Sequence, residues 1–151
     1  MQATFHWPIR VYYEDTDTGG VVFYANYLKF FERARTEWLR LAGISQHALA
    51  MSEQVMFVVK NTSIDYHSPA QLDDSLSISV QIEKLGRASI NFVQQAIRIS
   101  EDGAPELLCT CSIRIGCVGT ETLRPEAIPS TVLASIRSIA SITTNTDTLT
   151  S

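Results

Sequence analysis

Acids and glycines crowd one stretch of this sequence, residues 12–35, which read YYEDTDTGGVVFYANYLKFFERAR and join a strand-like segment to a helical one. A carboxylate in such a place can serve as a nucleophile or a general base. It can equally tighten the turn or cap the helix, which is the role expected of Asp15 and Thr16 and, on residue type alone, of Asp17 as well. The first N–H groups of a helix have no intrahelical acceptor and sit at the positive end of its dipole, so the turn around Tyr24 can receive a developing negative charge. Gly19 and Gly20 allow the backbone to come close to a bound group. Glu32, on the helix flank, can reach such a group, although a surface pair with Arg35 is the simpler role. Further along, His67 in IDYHSPA can act as an acid or base or merely end a strand, and ending a strand is favoured here. Arg87 and Ser89, with Lys84 nearby, can bind phosphate or simply be solvated. His6 and His47 have no motif around them.

The elements that position these residues follow from periodicity. Residues 9–13 read as a strand, and EDTDTGG after it is made of turn formers. Over residues 26–42, Tyr27, Phe30, Phe31, Ala34, Trp38, Leu41 and Ala42 fall on one stripe at helical spacing, with Lys29, Arg33, Thr36 and Arg40 behind. Gly43 is a suitable terminator, and Glu37 can pair with Arg33 or Arg40. Four β-type segments follow at 55–67, 75–85, 88–100 and 106–118, the last three joined by LGRA and SEDGAPE turns. Leu76, Ile78, Val80 and Ile82 alternate with polar residues, as in a sheet with one buried face. A short helix is expected at 130–137, followed by a polar Ser/Thr tail. The bulky aromatic stripe makes 26–42 the central helix of an α+β domain in which an antiparallel sheet wraps around one helix. An open strand edge in such a sheet is commonly closed by a second copy, so a homodimer or homotetramer is expected.

Bulk properties narrow the function classes. A chain of 151 residues suits one domain, and 45% hydrophobic residues are enough to build its core without staples. A net charge of −4 with scattered Lys and Arg disfavours nucleic-acid binding. No window approaches the roughly 18 apolar residues of a membrane span. The opening MQATFHWPIR has no secretory h-region, so the expected compartment is the cytoplasm. Cys109, Cys111 and Cys117 share one strand face and read as buried, inert thiols instead of metal ligands. No P-loop, G-x-G-x-x-G, Ser-His-Asp order or metal-ligand cluster occurs, so no metal or separate cofactor is expected.

The segment Asp15 to Tyr27, of the form D-T-D-x-G-G-V-V-x-Y-A-N-Y, resembles the signature of the 4-hydroxybenzoyl-CoA thioesterase-like family. It is most similar to the Tol-Pal-associated (YbgC-type) acyl-CoA thioesterases of bacteria. The likeness covers most of residues 7–130, including IDYHSPAQLDD and LGRAS. It implies the hotdog fold, in a single domain at 1–138 with a polar tail at 139–151, and hydrolysis of short-chain or aromatic acyl-CoA. Asp17 matches the family's catalytic carboxylate, which reverses the turn reading for that residue. Tyr24 matches the position whose backbone N–H supports the thioester carbonyl. Relatives often carry histidine there, so only the backbone role is carried over. Gly19, Gly20, Glu32, His67, Arg87 and Ser89 are the expected substrate-binding positions, and Arg87 and Ser89 lie in the turn that resembles the family's CoA-contacting region. CoA enters as part of the substrate.

Two other readings use the same elements. A hotdog hydratase or dehydratase also handles acyl thioesters but generally needs a histidine on the helix, and residues 26–42 carry none. A non-catalytic module that docks acyl carrier protein or envelope-associated partners would need no turnover at all.

Overall fold

The computed structural model describes residues 5–150, with side chains as far as Ala140. Strand β1 (Phe5–Arg10) leads through a 3-10 turn (Tyr13–Asp15) into helix α1 (Asn26–Leu41) and a short helix α2 (Gln46–Glu53). Strands β2 (Val55–Tyr66), β3 (Ser75–Leu85), β4 (Ser89–Ile99) and β5 (Glu106–Gly119) follow, and helix α3 (Ser130–Thr150) comes last. The strands form one antiparallel sheet in the order β1-β3-β4-β5-β2. Pro8, which has no N–H to donate, is accommodated in β1 because that strand lies at an edge.

Helix α1 lies on β3, β1 and β4. Its Tyr27, Phe30, Phe31, Ala34 and Trp38 are buried together with Leu76, Ile78, Val80 and Phe92 of the sheet. Trp38 meets Phe92 edge-on with ring centroids 5.5 Å apart. Burying each large apolar side chain contributes about 1.5–3 kcal/mol, so this face outweighs any local propensity in placing the helix. Three details differ from the sequence reading. Leu41 is 61% exposed, and Leu39 is buried in its stead. Leu39 continues the row of Phe31 and Arg35 at four-residue steps, and that row turns toward the sheet. Arg35 is accordingly buried and does not pair with Glu32. Its Nη1 donates to Gln94 Oε1 at 2.9 Å. Glu32 instead accepts a hydrogen bond from Thr36 Oγ1 at 3.2 Å. Burial holds the Arg35 guanidinium below its usual pKa. Gln94, fully buried, donates through Nε2 to Phe31 O at 3.0 Å and Ser79 O at 3.3 Å. Glu37 does pair with Arg40 on the outer side.

Helix α2 has no counterpart in the sequence reading. Ser45 caps it by accepting from the Ala48 N–H at 3.2 Å, and within it only Leu49 reaches the core. Helix α3 runs to Thr150 and does not stop at 137, so the backbone of the expected tail continues the helix. Val132 and Ile136 are buried, and Leu133 and Ile139 pack on the core, so the apolar spacing persists beyond Arg137. β1 ends at Arg10, before the expected 13, because the chain turns into the 3-10 segment at Tyr13.

The three cysteines of β5 are free and buried. Burial pushes the Cys109 thiol up to about 12, the Cys111 thiol up to about 11, and Cys117 upward as well. A thiol-specific reagent at pH 8 is expected to leave all three unmodified in the native protein and to titrate all three in denaturant. Rapid native-state modification would show that the β5 face opens.

Candidate active site

The connection from β2 to β3, residues 67–74, has to cross the ends of β5 and β4, because its two strands lie on opposite sides of them. It is tied down along the way. The N–H groups of His67 and Ser68 both donate to Leu108 O, at 2.8 and 3.1 Å. Ala70, fully buried, donates its N–H to the Tyr27 hydroxyl at 2.9 Å. Arg98 on β4 donates through Nη2 to Pro69 O at 2.6 Å and through Nε to Asp74 Oδ2 at 2.8 Å.

The acidic loop rests on this crossover. Val22 N–H donates to Ala70 O at 2.8 Å, Leu72 N–H to Gly20 O at 3.3 Å, and Val21 bridges Gln71. Within the loop, Phe23 N–H donates to Asp15 O at 3.1 Å and Asp17 N–H to Val21 O at 2.9 Å, so the chain doubles back on itself before α1. Asp15 has the structural role expected of it. It is 6% exposed, its Oδ2 accepts from Tyr12 N–H at 2.8 Å, and its carbonyl accepts from Asn26 Nδ2 at 2.8 Å. Thr16 Oγ1 donates to Tyr13 O at 2.9 Å.

Asp17 lies exposed at the tip of the loop. Its Oδ1 accepts from Gly19 N–H at 2.8 Å and from Val21 N–H at 3.4 Å. Oδ2 has no hydrogen-bond partner among the described residues. A Cβ on Gly19 would come within 3.2 Å of Asp17 Oδ1, so the absent side chain allows the short contact. Gly20 turns the chain with φ 81°, a region that favours glycine. Past the loop, the N–H groups of Tyr24 and Ala25 have no acceptor among the described residues, and no side chain caps α1. The Tyr24 carbonyl accepts from the Tyr66 hydroxyl at 3.0 Å, which anchors the backbone while the Tyr24 ring stays 63% exposed. Val22, Tyr24, Tyr27, Tyr66, His67 and Pro69 wall an open cavity of about 260 Å³ at this end of the helix. Asp17 is not among its walls.

The fold thus gathers Asp17, Gly19, Gly20, Tyr24 and His67 at one end of the sheet. His67 follows the end of β2, with Nε2 3.3 Å from Thr110 Oγ1. Glu32 lies two turns along α1, beside a separate cavity of about 120 Å³ that also involves Arg35 and Gln46. Arg87 lies in the β3–β4 turn and Ser89 opens β4 beside it, with Gly86 N–H donating to Ser89 O at 2.8 Å. That turn is at the far end of β3, roughly 35 Å away at about 3.3 Å per residue, so one chain alone does not bring Arg87 and Ser89 to Asp17. The supports of the loop, Tyr27, Tyr66, Asp74 and Arg98, do not emerge from sequence reasoning. The Asp74 and Tyr66 contributions lie within IDYHSPAQLDD, the one signal that could have pointed to them.

The model of the family described as Thioesterase superfamily matches residues 19–104 of this chain. This chain belongs to the thioesterase superfamily. The matched span begins two residues after Asp17. Among thioesterase relatives, the acyl-CoA thioester hydrolase YbgC of Escherichia coli O6:H1 is 42% identical over 133 residues, which cover 88% of this chain and 96% of that protein. A probable thioesterase from Bartonella henselae has a crystal structure that superposes with a TM-score of 0.73 at 34% identity, covering 84% of this chain and all of the other. A mutant of 4-hydroxybenzoyl CoA thioesterase complexed with 4-hydroxybenzoyl CoA superposes with a TM-score of 0.80 at 18% identity, covering 88% and 98%. That likeness is one of fold, and the hotdog arrangement of the superfamily is the one expected from the order of elements here.

Asp15 holds this thioesterase loop to the turn before it. Asp15→Ala is expected to lower unfolding stability by about 1–3 kcal/mol, because Tyr12 N–H loses its buried acceptor. Denaturant unfolding checks this, and an unchanged midpoint would show that water replaces the carboxylate.

Proposed function

We propose that this protein hydrolyses short-chain or aromatic acyl-CoA to free acid and CoA. The observation that supports this most is a carboxylate with one oxygen held and one free, Asp17, on a loop that runs within a few residues into the N–H groups of Tyr24 and Ala25, unpaired among the described residues, just before α1. The sulfur of a thioester stabilises its carbonyl poorly. Either Asp17 Oδ2 attacks the carbonyl carbon, expelling the thiolate and leaving a mixed anhydride for water to open, or it takes a proton from a water that attacks directly. Both routes end in the same acid and thiol. The oxyanion that forms on the way is received by the Tyr24 N–H at the positive end of the helix. The two hydrogen bonds to Oδ1 fix the orientation of the carboxylate, so little reorganisation is needed when the substrate arrives.

A hydratase or dehydratase reading is disfavoured because α1 offers no histidine beside its acid. Exposure of Asp17 and the distance to Arg87 and Ser89 favour a homodimer or homotetramer, in which a second copy completes the site. The unpaired edge of β2 is available for that contact. CoA belongs to the substrate, and no further cofactor is invoked. No helix among the described residues is long and apolar enough to cross a membrane, and action in the cytoplasm is part of the proposal.

Asp17→Asn is expected to lower kcat for acyl-CoA hydrolysis by about 10³-fold or more with the fold intact, as followed by thiol release and circular dichroism. Turnover at the wild-type rate would remove Asp17 from the mechanism. Arg87→Ala is expected to raise KM several-fold, by about the factor one phosphate contact provides, and to leave kcat unchanged. An unaltered KM would make Arg87 a solvated turn charge.

A further inference from the structure

The crossover at 67–74 is irregular backbone, closed on itself only at its end, where Asp74 N–H donates to Gln71 O at 3.1 Å around Asp73 with φ 72°, a conformation that the surroundings have to hold. Yet among the described residues it supplies the backbone–backbone contacts that support the Asp17 loop from outside the loop and α1, through Ala70, Gln71 and Leu72. Arg98 grips this crossover at both ends. Nη2 reaches Pro69 O at 2.6 Å, one residue before Ala70, and Nε reaches Asp74 Oδ2 at 2.8 Å, after Leu72. Nη1 reaches Glu106 Oε1 at 2.6 Å on β5, which braces the guanidinium against the sheet. The same Asp74 Oδ2 accepts from Gln71 N–H at 2.8 Å, so the carboxylate that Arg98 holds also folds the crossover on itself. Arg98 is 23% exposed and Asp74 20%, which shields the pair from much of the solvent. A planar fork with donors in three directions can tie three segments together in a way that lysine, a single point charge, cannot.

We propose that Arg98 is a positioning residue for hydrolysis: it touches no substrate, but by clamping residues 69–74 it sets the height of Gly20 and Val22 and hence the placement of Asp17 relative to the Tyr24 N–H. This rests on Asp17 being the reacting carboxylate. Arg98 acts through three links, from guanidinium to crossover, from crossover to Gly20 and Val22, and from Val21 O to Asp17 N–H at 2.9 Å. Small displacements of a reacting group carry large rate penalties, so the clamp is expected to act on kcat and leave KM alone.

The test compares Arg98→Ala and Arg98→Lys with the wild type and with Ile136→Val, a change at a buried residue of α3, outside the crossover and the acidic loop, that is expected to lower Tm. Arg98→Ala is expected to lower kcat about tenfold or more at constant KM. Amide exchange at Val22 and Leu72 should quicken, with Arg98→Lys recovering little of either. Wild-type kcat in folded Arg98→Ala, or a fall in kcat matched by Ile136→Val at equal loss of Tm, would overturn the proposal. If Arg98→Ala does not fold, Asp74→Asn and Arg98→Lys carry the same measurements. Should the wild type release no thiol from acyl-CoA, the proposed reaction fails, and exchange at Val22 and Leu72 still decides whether Arg98 clamps the loop.

Discussion

A helix that shows Tyr27, Phe30, Phe31, Ala34 and Trp38 on one side must be wrapped, and the rest of the molecule follows from that burial. That face is buried against β3, β1 and β4, so α1 is held by strands from one side of the sheet to its middle. A gripped helix has a fixed end. The backbone donors at its start therefore stay at a constant place relative to the sheet, and a loop that comes back over the same end can be built against them. The chemistry proposed for this protein needs a carboxylate and a donor to be held mutually still, and burial of hydrocarbon at a distance provides half of that.

The other half is polar. The crossover from β2 to β3 exists because the strand order places those neighbours in sequence on different sides of β5 and β4. Such a connection could be a slack surface loop. Here its N–H and C=O groups are taken up by Leu108, the Tyr27 hydroxyl, Arg98 and the acidic loop, so a topological necessity becomes a platform. The residues that touch substrate in the proposed reaction are few, and the residues that keep them in place come from β4, α1 and the crossover alike.

The sequence made α1 legible because Tyr27, Phe30, Phe31, Ala34 and Trp38, at helical spacing and most of them aromatic, are buried together only on a helix, and α1 begins at Asn26 as expected. β3 was equally plain, with Leu76, Ile78, Val80 and Ile82 alternating with polar residues from Ser75 to Glu83, and its bounds are Ser75 and Leu85. What escaped was whatever depends on neighbours distant in sequence. Arg35 looks like a surface charge until Gln94, 59 residues on, comes to meet it. Helix α2 buries one leucine and so leaves no periodic trace. Asp17 was singled out by motif, whereas residues 69–74, although within IDYHSPAQLDD, become its loop partners only through the strand order. Arg87 and Ser89 were identified by the same likeness, yet one chain keeps them at the opposite end of β3, because a local pattern says nothing about which copy completes a site.

Gln94 has one more effect on the architecture. Contact between hydrocarbon surfaces has no preferred direction, so an aromatic face alone would let a cylinder roll slightly in its trough without much change in energy. An amide that must reach the Phe31 carbonyl, the Ser79 carbonyl and the Arg35 guanidinium together admits a single azimuth. It works as a key in a shaft, locking rotation about the helix axis, and so it decides which way the donors at the far end of α1 point.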